Sequence, residues 1–328
     1  MRRVCLEVSF MPIWHPHPSP LPEGEGAGLS CPSYPYLVTM TTIRAVGILS
    51  PGEMGSGVGE VLHQRGLRVL TCLAGRGEHS RERAARAGFE DVADLDQLVR
   101  ECDVLLSIVP PAVAGAVADQ VAAAVRATGA SLLYADCNAI APSTARDIAR
   151  TVTQAGARFA DAGIIGGPPT RPGNRIFTSG AGAREFAGLG TFGLDIRVLD
   201  GDVGQASGLK MCYAAMTKGL QALGAELLVA ARLLGVEEQL RAEQNQGGDL
   251  AAVRRFVERA LPSMPPKAYR WIGEMEEIAR CFEDLGIPGR LLLGAADVYT
   301  DFRDGGVLAR ELSVIASPSP SGRGFIQG

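Results

Sequence analysis

From Ile43 onward the chain alternates short apolar runs with amphipathic stretches, and that alternation limits its fold more than any other feature. The run IRAVGIL reads as a strand, a Gly-rich turn opens the helical stretch GSGVGEVLHQRG, and LRVLTCL at 67–73 reads as the next strand. The unit then repeats. A polar loop, the helix SRERAARAG, the short segment FEDVADL and the helix DLDQLVRE lead to the strand CDVLLSIV, which stops at Pro110-Pro111 because proline donates no ladder hydrogen bond. AVAGAVADQVAAAVRATG, ASLLYADCN, STARDIARTVTQAG and ARFADAGII continue the pattern. Strands joined by helices in this way imply an α/β fold with a doubly wound parallel sheet. GGPPTRPGNRIFTSG holds too much Gly and Pro for a helix, and past Gly204 strand signals give way to long helices. The expected organisation is a sheet domain over 40–203 followed by an all-α domain over 204–312.

The ends read differently. Residues 1–39 contain HPHPSPLPEGEGAGLSCPSYPY, where Pro and Gly recur too often for regular structure, and the tail over 313–328 has the same character. Both are expected to be disordered or non-native flanking sequence, with Met40 as the biological start. The opening MRRVCLEVSFMPIW is interrupted by Glu7 and Pro12, so it is not a secretion signal. A formal net charge of -4 supplies no basic field for nucleic acid, and 46% hydrophobic with 21% charged residues is a globular rather than a membrane balance. Seven cysteines with no C-x-x-C pair argue against a disulfide framework or zinc cage and fit a reducing, cytoplasmic setting. Only His15, His17, His63 and His79 are present, the first two in the N-terminal extension, so proton chemistry must use another side chain.

The first strand ends in Ser50-Pro51-Gly52-Glu53-Met54-Gly55, a G-x-G-x-x-G with serine in the first position. Gly52 lets the backbone approach a pyrophosphate, Gly55 lets helix and strand pack closely, and the helix start offers free N–H groups. Because the turn follows a strand and opens a helix, it reads as the phosphate cradle of a Rossmann-type dinucleotide-binding domain. The second strand runs into Ala74-Gly75-Arg76 with no carboxylate where NAD would be held by its ribose, and Arg76 suits the 2′-phosphate of NADP. Glu78 nearby leaves NAD open, and Arg81 and Arg83 read as a solvated helix face.

With these residues in view, the order VGILSPGEMGSGVGEVLHQRG, VLLSIVPP, DCNAIAPSTARDIA, FADAGIIGG and GLKMCYAAMTKG resembles the β-hydroxyacid dehydrogenase family, which includes 3-hydroxyisobutyrate and 6-phosphogluconate dehydrogenases. AYRWIGEMEEIARCFEDLGIP resembles the smaller branch whose C-terminal domain is named for phosphogluconate dehydrogenase by similarity. The resemblance implies cofactor contacts from Ser50 to Gly55 and at Val109, Pro110 and Asn138. It implies substrate contacts at Asn138, Gly166 and Gly167, in a loop where Ile165 replaces the family's serine. The family's K-x-x-N-N falls on Lys210 to Ala214, keeping the lysine and losing both asparagines; Tyr213 is the candidate to replace one lost hydrogen bond.

Hydride transfer to or from a carbonyl carbon requires a proton or strong donor at the oxygen, and Lys210, set in the apolar stretch LKMCYAA, can provide it once burial lowers its pKa. Ala214, Thr217 and Gln221 share its side of the helix, whereas Lys218 is rotated partly off it. Arg171, Arg175 and Arg270 read as surface or ion-pair residues, and Glu274, Glu276 and Glu277 lack the histidines of a metal site, so no metal is expected. The leading expectation is an NADP-dependent oxidoreductase acting on a small hydroxy or oxo acid. The alternatives are an imine reductase, a relative that usually carries Asp or Tyr in place of the lysine, and a non-catalytic NADP sensor. Apolar stripes on the long C-terminal helices predict a homodimer.

Overall fold

The computed structural model describes residues 42–316. The expected extension over 1–39 and most of the tail lie outside those residues. Eight strands form one sheet in the order β3-β2-β1-β4-β5-β6-β7-β8. The first six are β1 (Ala45–Ile48), β2 (Arg68–Thr71), β3 (Glu90–Asp91), β4 (Val104–Ser107), β5 (Leu133–Asp136) and β6 (Arg158–Ile165). All pairings among them are parallel. They are connected by α1 (Glu53–Gln64), α2 (Glu78–Arg86), α3 (Leu95–Glu101), α4 (Pro111–Thr128) and α5 (Pro142–Gln154). Pro111 and Pro142 occupy first-turn positions, where a missing N–H costs nothing.

Strand β7 (Arg175–Ser179) departs from the expected all-parallel sheet by pairing antiparallel to β6, with Ile165 opposite Arg175. The cause is the loop between them. Gly166 at φ +104 and Gly173 at φ +88 reverse the chain, and nine residues cannot carry the crossover that a parallel neighbour needs. A side chain on Gly166 would stand 2.7 Å from the Gly173 carbonyl oxygen, so this reversal requires glycine. After the short α6 (Ala183–Ala187), β8 (Ile196–Val198) completes the sheet parallel to β7.

Strand side chains alternate between two cores. Leu70, Leu105 and Tyr134 pack on one face with α3, α4 and α5, and Val69, Leu106 and Leu133 pack on the other with Val58 and Leu62 of α1. The remainder is helical: α7 (Gln205–Leu233), α8 (Glu237–Asn245), α9 (Asp249–Ala260), α10 (Ala268–Glu283), α11 (Arg290–Asp304) and α12 (Val307–Ala316). Helix α12 runs four residues beyond the expected end at 312. A third core joins Met211, Ala225, Met275 and Tyr299 of these helices to Ala139 and Ala141 in the loop after β5. That loop is seated by Glu277 of α10, whose carboxylate accepts from the Ala141 N–H at 2.8 Å and the Thr144 hydroxyl at 3.2 Å, at the unsatisfied start of α5.

Candidate active site at the strand ends

The strand order reverses between β1 and β4, so the loops leaving these two strands flank a crevice at the carboxyl edge of the sheet. Ser50 to Gly52 leave β1 on one side, and Val109-Pro110 leave β4 on the other. A Cβ on Gly55 would lie 2.1 Å from the Ser50 carbonyl oxygen, so α1 leaves the strand at a distance that only glycine permits. A Cβ on Gly52 would meet nothing within 4 Å, which keeps the approach to the helix start clear. No side chain caps α1, so its first N–H groups stay available to an anion. Glu53 stands in that first turn, and the Arg270 guanidinium of α10 lies 3.6 Å from its carboxylate. Arg76 bends back to the turn and donates to the Leu49 carbonyl at 3.2 Å, while Arg81 ties the same loop by donating to Leu73 at 2.8 Å. The backbone cradle, its clear approach and the adjoining guanidinium together fit a phosphorylated dinucleotide.

Asp136 and Asn138 occupy the end of β5. The Asn138 amide is spent internally: its oxygen accepts from the Val109 N–H at 2.7 Å, and its nitrogen donates to Ser107 Oγ and Asp136 Oδ2, both at 3.0 Å. At 2% exposed it locks the β4 and β5 loops together, with its NH₂ group donating to two partners and its oxygen accepting from the Val109 N–H. Burial pushes the Asp136 carboxyl up to about 7, and Asp161 adds to the rise, against the Asn138 donors and Lys210.

Lys210 lies in the second turn of α7. The helix is seated by Asp161 of β6, fully buried, whose carboxylate accepts from the Gly204 N–H (2.8 Å), the Ser207 N–H (3.1 Å), Ser207 Oγ (2.6 Å) and Ser179 Oγ (2.9 Å). These are the unpaired donors of a helix start, where a negative charge is also favoured by the dipole. One turn on, Gly163 of β6 lets α7 come so near that an added Cβ would be 2.6 Å from the Ala206 carbonyl oxygen and 3.1 Å from Lys210 Cβ. The Lys210 amine reaches the Cys137 carbonyl oxygen at 3.4 Å, beside Asp136. Burial pushes this amine below the ordinary lysine value; Glu274 opposes the shift and Lys218 reinforces it.

The pairing of two further residues here was not expected from sequence. Lys218 pairs with Glu274 of α10 at 2.6 Å, both side chains 16% exposed, and its ammonium sits 5.8 Å from the centroid of the Trp271 ring. Burial alone would raise the Glu274 carboxyl, but Lys218, then Lys210 and Arg270, hold it below the usual carboxylate range. Tyr299 of α11 meets Trp271 edge-on at 5.2 Å and donates to the Lys218 carbonyl at 2.7 Å. The residue types around Lys218 gave a weak signal, since WIGEME places Trp271 and Glu274 three apart on one helix face.

The other expected residues occupy more exposed positions. Tyr213 of α7 is 47% exposed. Gly166 and Gly167 are exposed in the β6–β7 loop, which Asn174 closes by donating to the Gly167 carbonyl. Arg171 lines a groove of about 370 Å³ beside α1 with Arg83 and Arg86, whereas Arg175 lies in β7 with a buried, unpartnered Nε. Among the described residues no group of three or more His, Cys, Asp or Glu is placed to hold a metal, and no helix is long and apolar enough to cross a membrane.

Residues 45–189 match the family model described as the NAD binding domain of 6-phosphogluconate dehydrogenase, and residues 231–302 match a domain of unknown function, DUF1932. An uncharacterized 28.5 kDa protein of Methanothermus fervidus, from the 5′ region of a 7S RNA, is 30% identical over 195 residues, covering 60% of this chain and 74% of that protein. A conserved protein of unknown function, described as structurally similar to 3-hydroxyacid dehydrogenases, superposes with a TM-score of 0.60 at 29% identity over 82% of this chain and 99% of its own. The 3-hydroxyisobutyrate dehydrogenase of Mycobacterium tuberculosis shares the fold, with a TM-score of 0.63 at 18% identity over 84% of this chain and 100% of its own. The chain therefore belongs to the β-hydroxyacid dehydrogenase family, in the branch that joins an NAD-binding domain of the 6-phosphogluconate dehydrogenase type to this second domain of unknown function.

Proposed function

We propose that the protein is an NADP-dependent oxidoreductase that transfers a hydride between nicotinamide and a small hydroxy or oxo acid, with Lys210 as general acid and base. The observation that carries this reading is the half-buried Lys210 amine at the strand ends, held against the Cys137 carbonyl in the same crevice edge as the glycine turn. The dinucleotide would lie on residues 40–203, with Gly52, Gly55 and the start of α1 holding its pyrophosphate and Val109-Pro110 flanking the crevice; residues 204–312 would complete the substrate side. When bound, the nicotinamide supplies or accepts the hydride. Lys210 protonates the developing oxyanion in reduction and, in its neutral form, takes the hydroxyl proton in oxidation; burial lowers its pKa and so favours the neutral form that oxidation needs. Exposed backbone at Gly166 and Gly167 provides donors for an acid group. Asn138 acts by fixing the β4 and β5 loops.

The test is NADPH and NADH oxidation across a panel of small oxo acids and cyclic imines. The expected result is NADPH oxidation with an oxo acid, and Arg76→Ala weakening NADPH about 10–100-fold while leaving NADH unchanged, the effect of one lost charge-assisted phosphate contact. Turnover of cyclic imines alone would move the protein to the imine reductase reading. Tight NADPH binding with no turnover of any carbonyl would make it a sensor.

The free thiols of Cys72, Cys102, Cys137, Cys212 and Cys281 support a reducing, cytoplasmic setting. Helix α7 also presents Leu209, Tyr213, Met216, Leu223 and Leu227 to solvent, spaced in threes, fours and sevens as one continuous stripe. A second copy covers it in this proposal, since such a stripe pairs with itself about a two-fold axis. Light scattering at micromolar concentration is expected to give twice the chain mass, falling to the monomer in Met216→Glu/Leu223→Glu; a monomeric parent protein would overturn the dimer.

A further inference from the structure

Helix α10 spends one of its faces on the sheet domain. Arg270, Glu277 and Asp284 recur every seven residues on that face, a row of about 21 Å along the helix. Asp284 accepts from Ser143 Oγ at 2.6 Å and Glu277 from the Ala141 N–H at 2.8 Å, both at the start of α5. These contacts fix the C-terminal half of α10. At its other end Arg270 reaches the start of α1, where its guanidinium lies 3.6 Å from the Glu53 carboxylate. That separation makes an ion pair but not a good hydrogen bond. The Arg270 Nε is buried with no partner, although the side chain as a whole is 34% exposed. Glu274, one turn further along α10, is paired with Lys218 at 2.6 Å. A guanidinium has five donors, and a buried donor is unfavourable until something accepts from it.

We propose that Arg270 is the helical domain's ligand for the dinucleotide pyrophosphate, and that Glu53 is the carboxylate it gives up for the phosphate oxygens. The proposal deepens, and rests on, the reading of the β1–α1 turn as the phosphate cradle. Glu53 stands at the positive end of α1, where a carboxylate is favoured as long as no other anion competes for the place. A diphosphate brings two negative charges to the same helix end, so a cation has to offset them beside Glu53. Arg76 donates to the Leu49 carbonyl from the end of β2, the strand end that serves the ribose in this fold. Arg270 instead meets the first turn of α1, the part that holds the diphosphate. Glu53 also borders the groove of Arg83, Arg86 and Arg171, but its ion pair among the described residues is with Arg270. The planar fork of an arginine suits two phosphate oxygens at once.

An ion pair that only docked α10 on α1 would respond alike to the loss of either partner. A phosphate ligand and its competitor respond in opposite directions. The experiment is titration of the full-length protein with NADPH and with NADH, followed by the fluorescence of the reduced nicotinamide at low and at physiological salt. Arg270→Met is expected to weaken both dinucleotides about 10–100-fold and to flatten the salt dependence of Kd, because the diphosphate is common to the two. Arg270→Lys, which keeps the charge without the fork, should fall between. Glu53→Gln is expected to tighten both about 2–10-fold by removing the competing carboxylate. Arg76→Ala acts on NADPH alone, which separates the two phosphate positions. Unchanged Kd values in Arg270→Met, a loss confined to NADPH, or unchanged or weaker binding in Glu53→Gln overturn the proposal. Should Arg270→Met fail to fold, Glu53→Gln decides it by the same rule. A parent protein that bound neither dinucleotide would remove the cradle reading and this proposal with it, whereas an intact Kd in Arg270→Met removes the proposal alone. No turnover enters the measurement, so the result stands apart from the role of Lys210.

Discussion

Replacing Lys210 by alanine is expected to lower turnover by about 10²–10⁴-fold while leaving NADPH binding intact, the usual loss for one acid–base group. The two readouts separate because the amine lies at the strand ends against the Cys137 carbonyl, whereas the phosphate cradle is built from the β1–α1 turn. Lys210→Arg sharpens the result. Arginine keeps the positive charge but cannot give up its proton near neutrality, so a catalyst that cycles a proton is lost in both variants. If Lys210→Arg kept most of the activity, Lys210 would be acting as a fixed charge. Unchanged turnover in Lys210→Ala would remove it from the reaction. The pH profile adds a sign: because burial favours the neutral amine, oxidation should switch on at a lower pH than an exposed lysine would allow.

The largest stability effect is expected at Asp161. Its carboxylate accepts four hydrogen bonds in a fully buried position, from two N–H groups at the start of α7 and from the Ser179 and Ser207 hydroxyls. Among the described residues no ion pair involves Asp161, so the donors at the start of α7 and the two serine hydroxyls are its polar partners. Asp161→Ala leaves several buried donors without an acceptor and should cost about 3–5 kcal/mol. Asp161→Asn keeps one oxygen but turns an NH₂ toward donors, for an intermediate loss of about 1–3 kcal/mol. Urea unfolding with an unchanged m-value measures both. A loss below about 1 kcal/mol in the alanine variant would mean the α7 start is held by packing alone. Since Lys210 sits in the next turn, a loosened helix start also displaces the amine, so residual activity should fall with stability.

The glycine turn was legible because its chemistry is local: a strand, three turn positions and a helix start lie within one short segment, and Gly55 has a steric reason visible in its spacing. The place of Lys210 on a long helix was legible through motif order, and the structure sets that helix against Gly163 of β6. Three things were not legible. Strand β7 hid in a Gly- and Pro-rich segment whose pairing depends on a reversal at Gly166. The Asn138 side chain looked available, yet hydrogen bonds from the neighbouring strand end had already claimed it. Lys218 looked rotated off the active face, because a helical wheel knows nothing of the helix packed against it, and Glu274 of α10 supplies the missing partner.

By itself the sequence determined what depends on neighbours along the chain: the strand and helix alternation, the phosphate-cradling turn, the long helix bearing Lys210 and the family those motifs mark. Only the tertiary structure decided which polar groups are already paired, which face of α7 meets β6 and α10 and which meets solvent, and therefore which charges surround the amine. The division has one physical cause. Backbone geometry and hydrophobic period are set within a few residues, whereas burial and electrostatic coupling arise between segments far apart in the chain, and only folding brings those together.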